Sequence, residues 1–549
     1  MRILQNRNLL ILILCVFSIT TYSQNFDKTF DQWMKSAFPA DQPGASALVA
    51  KNGKIIYHKA FGMADMELDV SLKPNHVFEI GSITKQFTAV SILMLVEKGK
   101  LKLDDDITKF IKDYPTHGYK ITIHDLLTHT SGIKSYTSME KWRPEWRKDF
   151  KPLELINFFK NEPMDFAPGS QYKYNNSAYF ILGHVIELTS GKTYAEYIEE
   201  YIFKPLEMSS SYYGSQTQII KNRASGYQKQ NKLRNAEYLS LTQPYAAGSI
   251  MSTVEDLYKW NRAIRSHKLI SKESTDKAWT NYELTNGKKI DYGYGWALGN
   301  LQGSRTIDHG GGIFGFVTSS IYLPDEDVFV AIFCNCDCSN PDQISSRMAA
   351  MASGKSDFLS MVDTISSAGL NMKQWIGVYD FSDNATRIIT YENGQLFSQR
   401  DGGSKFRIYP VKEGSFVFDG DNSMISFTKE GDKIKAKFSS IRSSVDGVKS
   451  TKEIPALKEI PLAPEIMQRY VGVYELSPSF HISVTMEEGK LMTQATGQAK
   501  FQIFPSSETM FFVKVVDAKV EFIKSDMGLY DSFILYQGGQ KIPGKKKKD

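Results

Sequence analysis

Cysteine is scarce, with four in 549 residues. Three of them, Cys334, Cys336 and Cys338, form a Cys-x-Cys-x-Cys run with no second ligand pair nearby, which argues against a zinc site. The run follows a strand-like segment and reads as thiols buried or half-buried at a strand end, at least one of them without an intramolecular partner. Long apolar runs are also missing. Only Leu9–Ile19 is continuous, and it is too short for a spanning helix, which needs ~20 apolar residues, so no membrane span is expected. Excess charge is small, at +5. Arg2, Arg7 and the lysines Lys545–Lys548 beside Asp549 account for it, so the body of the chain is balanced and no nucleic-acid partner is expected. The lysine cluster reads as a solvated end. Collagen-like and low-complexity composition is absent, and 42% apolar with 12% aromatic residues excludes intrinsic disorder.

What is present divides the chain. A length of 549 residues predicts two to four domains. Arg2 and Arg7 ahead of Leu9–Ile19, then Thr21-Tyr22-Ser23, read as a signal peptide over 1–23 cleaved before Gln24. Cys15 sits inside the apolar run after Leu14 rather than after a small residue, which argues against lipidation. The expected protein is exported, periplasmic or secreted. Over 24–355 helical and strand-like segments alternate. Ala47–Ala50 and Ile55–His58 flank the hairpin signal Asn52-Gly53, and a helix is expected from Ser82 to about Lys98. Another is expected from about Ser177 to Thr189, followed by strands over Phe316–Leu323 and Val328–Phe333. Strands at both ends with helices between predict an antiparallel sheet assembled from distant parts of the chain.

Residues 356–370 read as a polar linker. Beyond it the text repeats. Trp375-Ile376-Gly377-Val378-Tyr379 matches Tyr470-Val471-Gly472-Val473-Tyr474 at an offset of 95. The same offset aligns Lys405–Pro410 with Lys500–Pro505, and Phe427 with Phe522. Two β-domains, over 371–460 and 466–549, are expected, each of about 90 residues and able to close into a small barrel.

Three clusters carry candidate chemistry. Ser82-Ile83-Thr84-Lys85 opens the first long helix, with Lys85 one turn beyond Ser82 on the same face. A lysine whose pKa is lowered by burial can take the proton of a serine nucleophile. Read alone, Ser82 could equally be a helix cap and Lys85 a surface lysine. Tyr174-Asn175-Asn176 precedes the second helix and could shuttle a proton and hold a carbonyl, or could be a packed tyrosine and a capping asparagine. His309-Gly310-Gly311-Gly312 enters a strand, where glycine permits close approach of a substrate and a backbone N–H can face an oxyanion. Gly310, Gly312 and Gly315 also spell a dinucleotide pattern. It is rejected because the run enters a strand instead of opening a helix.

Taken in order, Ser82-x-x-Lys85, Tyr174-x-Asn176 and His309-x-Gly311 resemble the three motifs of the serine β-lactamase and penicillin-binding-protein superfamily. Leu126–Gly132, Pro168-Gly169 and Gly248–Thr253 with Asp256 agree with its class C-like branch. The resemblance implies an α/β (α+β) catalytic domain with a central antiparallel sheet flanked by helices. It implies Ser82 as acylated nucleophile, Lys85 and Tyr174 as shared base and acid, and Asn176 as a substrate-orienting residue. The N–H groups of Ser82 and Gly312 would form the oxyanion hole, with no metal or organic cofactor. True β-lactamases and carboxypeptidases of the branch usually carry lysine where His309 stands. The histidine form is similar to D-aminopeptidases and esterases, some of which bear two C-terminal barrels. The implied function is a D-stereospecific peptidase or amidase acting on small peptides, amides or esters. Carboxylesterase, β-lactamase and a non-catalytic peptide- or penicillin-binding protein are the alternatives.

Overall fold

Strand-forming runs near residue 50 and beyond residue 295 meet in one sheet in the computed structural model. It describes residues 26–549 except 230, 356–363, 402, 420–422, 455–458, 478–479, 515–517, 526–527, 538–539 and 548–549. The expected signal peptide and residues 356–363 of the expected linker lie outside the described residues. The chain forms two units, Met1–Asp357 and Phe358–Asp549.

The first unit is built on β1 (Ala45–Lys51), β2 (Lys54–Phe61), β3 (Ala297–Leu301), β4 (Ser304–Ile313), β5 (Phe316–Leu323) and β6 (Val328–Cys334). They form an antiparallel sheet in the order β3-β4-β5-β6-β1-β2. Asn52 and Gly53 turn β1 into β2 with φ of 50° and 74°, the positive pair that suits strand twist. Val49 stands opposite Val330, so the two ends of the unit are joined at the centre of the sheet.

Side-chain alternation divides the two faces. Phe329, Ala331 and Phe333 turn to the main core, where Phe329 meets Tyr258 of the helix Val254–Arg265 at 5.5 Å. On the opposite face Ser319 bonds Ser345 of the helix Pro341–Ala352 at 2.8 Å. There too Tyr57 receives the edge of Phe30, from a helix over 26–37, at 5.3 Å.

Three helical elements build the main-core side of the site: α1 (Thr84–Glu97), α2 (Asn176–Ser190) and the short α3 (Tyr245–Gly248). The spacing of Ile83, Phe87, Val90 and Met94 suggests one apolar stripe, yet α1 is buried on every side from Thr84 to Leu95. Its polar side chains find internal partners. Thr88 Oγ1 donates to the Ala246 carbonyl at 2.7 Å, and Gln86 Oε1 accepts from Trp260 Nε1 at 2.9 Å. Phe87 stacks on Trp260 at 4.0 Å. At the end of α2, Gly191 (φ 74°) supplies the left-handed residue that stops the helix.

The second unit contains two closed eight-stranded antiparallel barrels, strands following one another in chain order. The first spans Gly377 to Lys449 and the second Gly472 to Lys546. The sequence repeat is a repeat of contacts. Trp375 stacks on Phe427 at 5.3 Å, and Tyr470 on Phe522 at 4.4 Å. The Tyr379 hydroxyl donates to the Trp375 carbonyl at 2.8 Å, as Tyr474 does to Tyr470 at 2.9 Å. Lys405 pairs with Glu392, and Lys500 with Glu487. The lysine cluster at the end differs from expectation. Lys545 and Lys546 belong to the last strand, which closes the second barrel against Glu475 and Tyr474. Lys547 pairs with Glu475 at 2.9 Å. A barrel needs its eighth strand, so the backbone there is ordered while the Lys545 and Lys547 side chains remain exposed.

The stacked Trp375 is a main element of its own barrel core. Trp375→Ala is expected to remove about 3–5 kcal/mol from that barrel, read by hydrogen exchange of strands 377–449. Trp375→Tyr, which copies the second repeat, should cost much less.

Candidate active site

Ser82 lies in a 3₁₀ turn, Gly81–Ile83, that runs directly into α1. Neither the turn nor the helix has a side-chain cap, so the Ser82 hydroxyl is not engaged as one. Gly81 takes φ of +53°, and β4 crosses it closely: a Cβ on Gly81 would stand 2.9 Å from the Gly312 nitrogen. A Cβ on Gly311 would lie 2.0 Å from the Ile80 carbonyl. Gly311 is therefore buried as a packing position, where Thr318 Oγ1 also reaches the Ile80 carbonyl at 2.9 Å. Gly312 is exposed and faces open space.

Lys85 is fully buried. Its ammonium donates to Ser82 Oγ at 3.1 Å, Asn176 Oδ1 at 2.9 Å and the Ala247 carbonyl at 2.8 Å. All three partners are neutral. Burial pushes the amine well below the ordinary lysine range. The same three positions satisfy the free amine: it can donate to Asn176 and Ala247 and accept the proton of Ser82. The Tyr174 ring centroid lies 4.8 Å from Lys85 Nζ. Burial raises the Tyr174 phenol, and the nearby Ser82 hydroxyl pulls it partly back. The residue as a whole is 37% exposed, although the phenol itself is desolvated.

Asn175, not Asn176, caps α2: its side chain accepts from the Ala178 nitrogen at 3.1 Å. Asn176 is thereby left to bridge Lys85 and Thr137, whose hydroxyl accepts from Nδ2 at 3.1 Å. Tyr174 is held from both sides by His129. The His129 carbonyl accepts from the Lys173 nitrogen, and its Nδ1 from the Asn175 nitrogen, each at 3.1 Å. The His129 ring lies 4.4 Å from that of Tyr174. Burial, with Lys85 and His309 nearby, pushes its imidazole well down.

His309 is buried against Tyr174 and Tyr292. Its Nδ1 abuts the Gly310 carbonyl, which only a protonated nitrogen can do, so Nε2 accepts from the Tyr292 hydroxyl at 2.9 Å. Burial and the Lys85 charge push His309 down to about 4, against the pull of the Gly310 carbonyl. It is a neutral ring, where a lysine would place a cation.

Residues 26–354 match the family model described as Beta-lactamase. The chain belongs to the beta-lactamase family. It is 27% identical over 533 residues to Penicillin-binding protein 4* of Bacillus subtilis (strain 168), covering 94% of this chain and 98% of that one. Among solved structures it is similar to the octameric penicillin-binding protein homologue from Pyrococcus abyssi. That match has a TM-score of 0.54 and 25% identity, over 77% of this chain and 99% of the other. It is also similar to the D-stereospecific amidohydrolase from Streptomyces sp., with a TM-score of 0.51 and 25% identity, over 58% and 97%. Residues 457–546, which include the second barrel, match a Domain of unknown function (DUF3471).

In this family member Ser82, Asn176 and Gly312 open onto a cleft of about 330 Å³. Tyr136, Trp142, Leu239, Pro244, Phe314 and Phe316 supply its apolar walls. Sequence reasoning missed these walls, the Ala247 carbonyl and His129. The Leu126–Gly132 text contains His129, but nothing local marks it as the bracket of a tyrosine 45 positions later. His129→Phe would strand the buried Asn175 N–H. A loss of about 1–3 kcal/mol is expected, with faster amide exchange at Lys173 and Asn175, and His129→Asn, which keeps an acceptor, should lose less.

Proposed function

We propose that this chain is an exported, periplasmic or secreted serine hydrolase that cleaves amide or ester bonds through an acyl-enzyme, with D-amino-acid peptides or amides as its substrate class. The single observation that carries the reading is Lys85. It is buried without a carboxylate partner and lies 3.1 Å from a serine hydroxyl that caps no helix.

Ser82 Oγ attacks the carbonyl carbon while its proton passes to the free amine of Lys85. The oxyanion is met by the N–H groups of Ser82 and Gly312. The C–N or C–O bond then breaks as the leaving group takes a proton through Tyr174. Water attacks the resulting ester and gives a proton to the Lys85–Tyr174 pair; the bond from Ser82 Oγ to the acyl carbon then breaks, Oγ takes that proton, and the acid is released. Asn176, fixed by Lys85 and Thr137, orients the substrate. The similarity to a D-stereospecific amidohydrolase supports the substrate class, as does the neutral His309, which gives a substrate carboxylate no fixed cation.

Labelling of the protein by a fluorophosphonate probe tests this reading. Label is expected on Ser82 and lost in Ser82→Ala. Lys85→Ala should slow it by on the order of 10²–10⁴, and Lys85→Arg should not rescue it, because guanidinium stays protonated. No labelling of the wild type by any serine-directed probe refutes the proposal.

The second test is pH dependence. An ordinary histidine would charge below about pH 6.5 and begin to favour substrate carboxylates, whereas His309 stays neutral down to about 4. For a matched N-acetylated D-dipeptide acid and its amide, the ratio of kcat/KM should stay flat from about pH 8 to pH 5, the amide preferred throughout. A rise in acid preference below about pH 6.5 would count against the neutral ring.

A further inference from the structure

Two residues behind the site stand where their own preferences oppose them. Tyr245, the first residue of α3, has φ of +43°, a left-handed conformation that a bulky side chain adopts only under constraint. Gly183 lies inside α2, where alanine would favour the helix. Space accounts for the glycine: a Cβ there would stand 2.4 Å from the Ala246 Cβ and 2.5 Å from Tyr245 Cε1. α3 therefore rests directly on the backbone of α2. The Tyr245 ring is buried against Phe180 of α2, 4.8 Å away, and Tyr194, 5.2 Å away. From the other side Thr88 of α1 donates to the Ala246 carbonyl at 2.7 Å. The strained residue is clamped between two helices.

The effect of the clamp is felt two residues further on. The Ala247 carbonyl accepts from Lys85 Nζ at 2.8 Å, and Asn176, the first residue of α2, accepts at 2.9 Å. Both acceptors of the free amine are thus set by α2, one through its first residue and the other through Gly183. With both in place the lone pair is left to Ser82 Oγ, 3.1 Å away. At an ordinary negative φ the chain would be rotated by about 100° at Tyr245, and the Ala247 carbonyl would leave Lys85.

We infer that Gly183 and Tyr245 are positioning residues: their packing holds the strained turn that sets the Ala247 carbonyl on Lys85 and so aims the amine at Ser82. The inference rests on the proposed reading of Lys85 as the base. Neither residue is among those that line the cleft, so their loss should fall on the rate of acylation and not on binding.

Fluorophosphonate labelling taken to saturation separates the two. Gly183→Ala is expected to lower the limiting rate constant about tenfold to hundredfold. The half-saturating probe concentration should change by less than about twofold. Loss of folded protein would lower the amount labelled, not the rate constant of what remains. Tyr245→Ala, which empties the clamp, should behave like Gly183→Ala and carries the same test should that variant not fold. Tyr245→Phe, which keeps the buried ring, should retain most of the wild-type rate. An unchanged limiting rate in Gly183→Ala or Tyr245→Ala, or a loss confined to probe affinity, overturns the inference. If the wild type takes no label, the hydrolase reading fails and crystal structures decide the clamp separately. An Ala247 carbonyl beyond hydrogen-bond distance of Lys85 in Tyr245→Ala supports it, and one still in contact refutes it.

Discussion

A lysine buried without a counter-charge is the constraint on which the first unit turns. Removing an ammonium from water is costly unless it is paired or gives up its proton. Lys85 is given three neutral acceptors and no carboxylate. The same region shows the alternative: Glu79, next to the Gly81–Ile83 turn, is buried and pairs with Arg223 at 2.9 Å. There burial raises the carboxyl and Arg223 opposes the shift. A carboxylate set beside Lys85 in that way would hold it charged. Neutrality of the surrounding groups is therefore as much a part of the site as the lysine itself, and His309 fits that rule.

Backbone proximity maintains the arrangement. β4 lies on the Gly81–Ile83 turn so closely that Gly81 and Gly311 have no room for a side chain. Thr318 of the neighbouring β5 donates to the Ile80 carbonyl, while Thr88 and Thr84 hold the Ala246–Ile250 segment to α1. The Ala247 carbonyl is thereby delivered to Lys85. The site is a seam between the sheet and the helical layer, which leaves Ser82 half-buried and Lys85 wholly so.

The two barrels show a different economy. Each closes around its own aromatic core. Several positions that stay alike at an offset of 95 make the same contact in both barrels. Gly377 and Gly472 have φ of 151° and 154°, and a Cβ on either would strike a lysine stem, Lys449 or Lys546. The stacked ring is tryptophan in the first barrel and tyrosine in the second, and both present a flat face to a phenylalanine.

Much was legible in the chain itself, because local rules governed it. Asn52-Gly53 specified a hairpin, Gly191 a helix stop, and the offset repeat two copies of one β-fold. Ser82, Lys85, Tyr174, Asn176 and His309 could be named as candidates because their spacing along the chain matches three motifs, and the fold brings their side chains together. Tertiary structure alone decided what those residues are. Periodicity gave α1 one apolar stripe, but packing from every side buried Lys85 and lowered its proton affinity. Text could not choose between Asn175 and Asn176 as the cap, since that depends on which amide meets Ala178. His129 lies within Leu126–Gly132, Ala247 beside Gly248, and Phe314 and Phe316 just past Gly312, but nothing in the text says that they meet. A pattern records spacing along the chain, whereas desolvation and hydrogen-bond reach depend on distance through space.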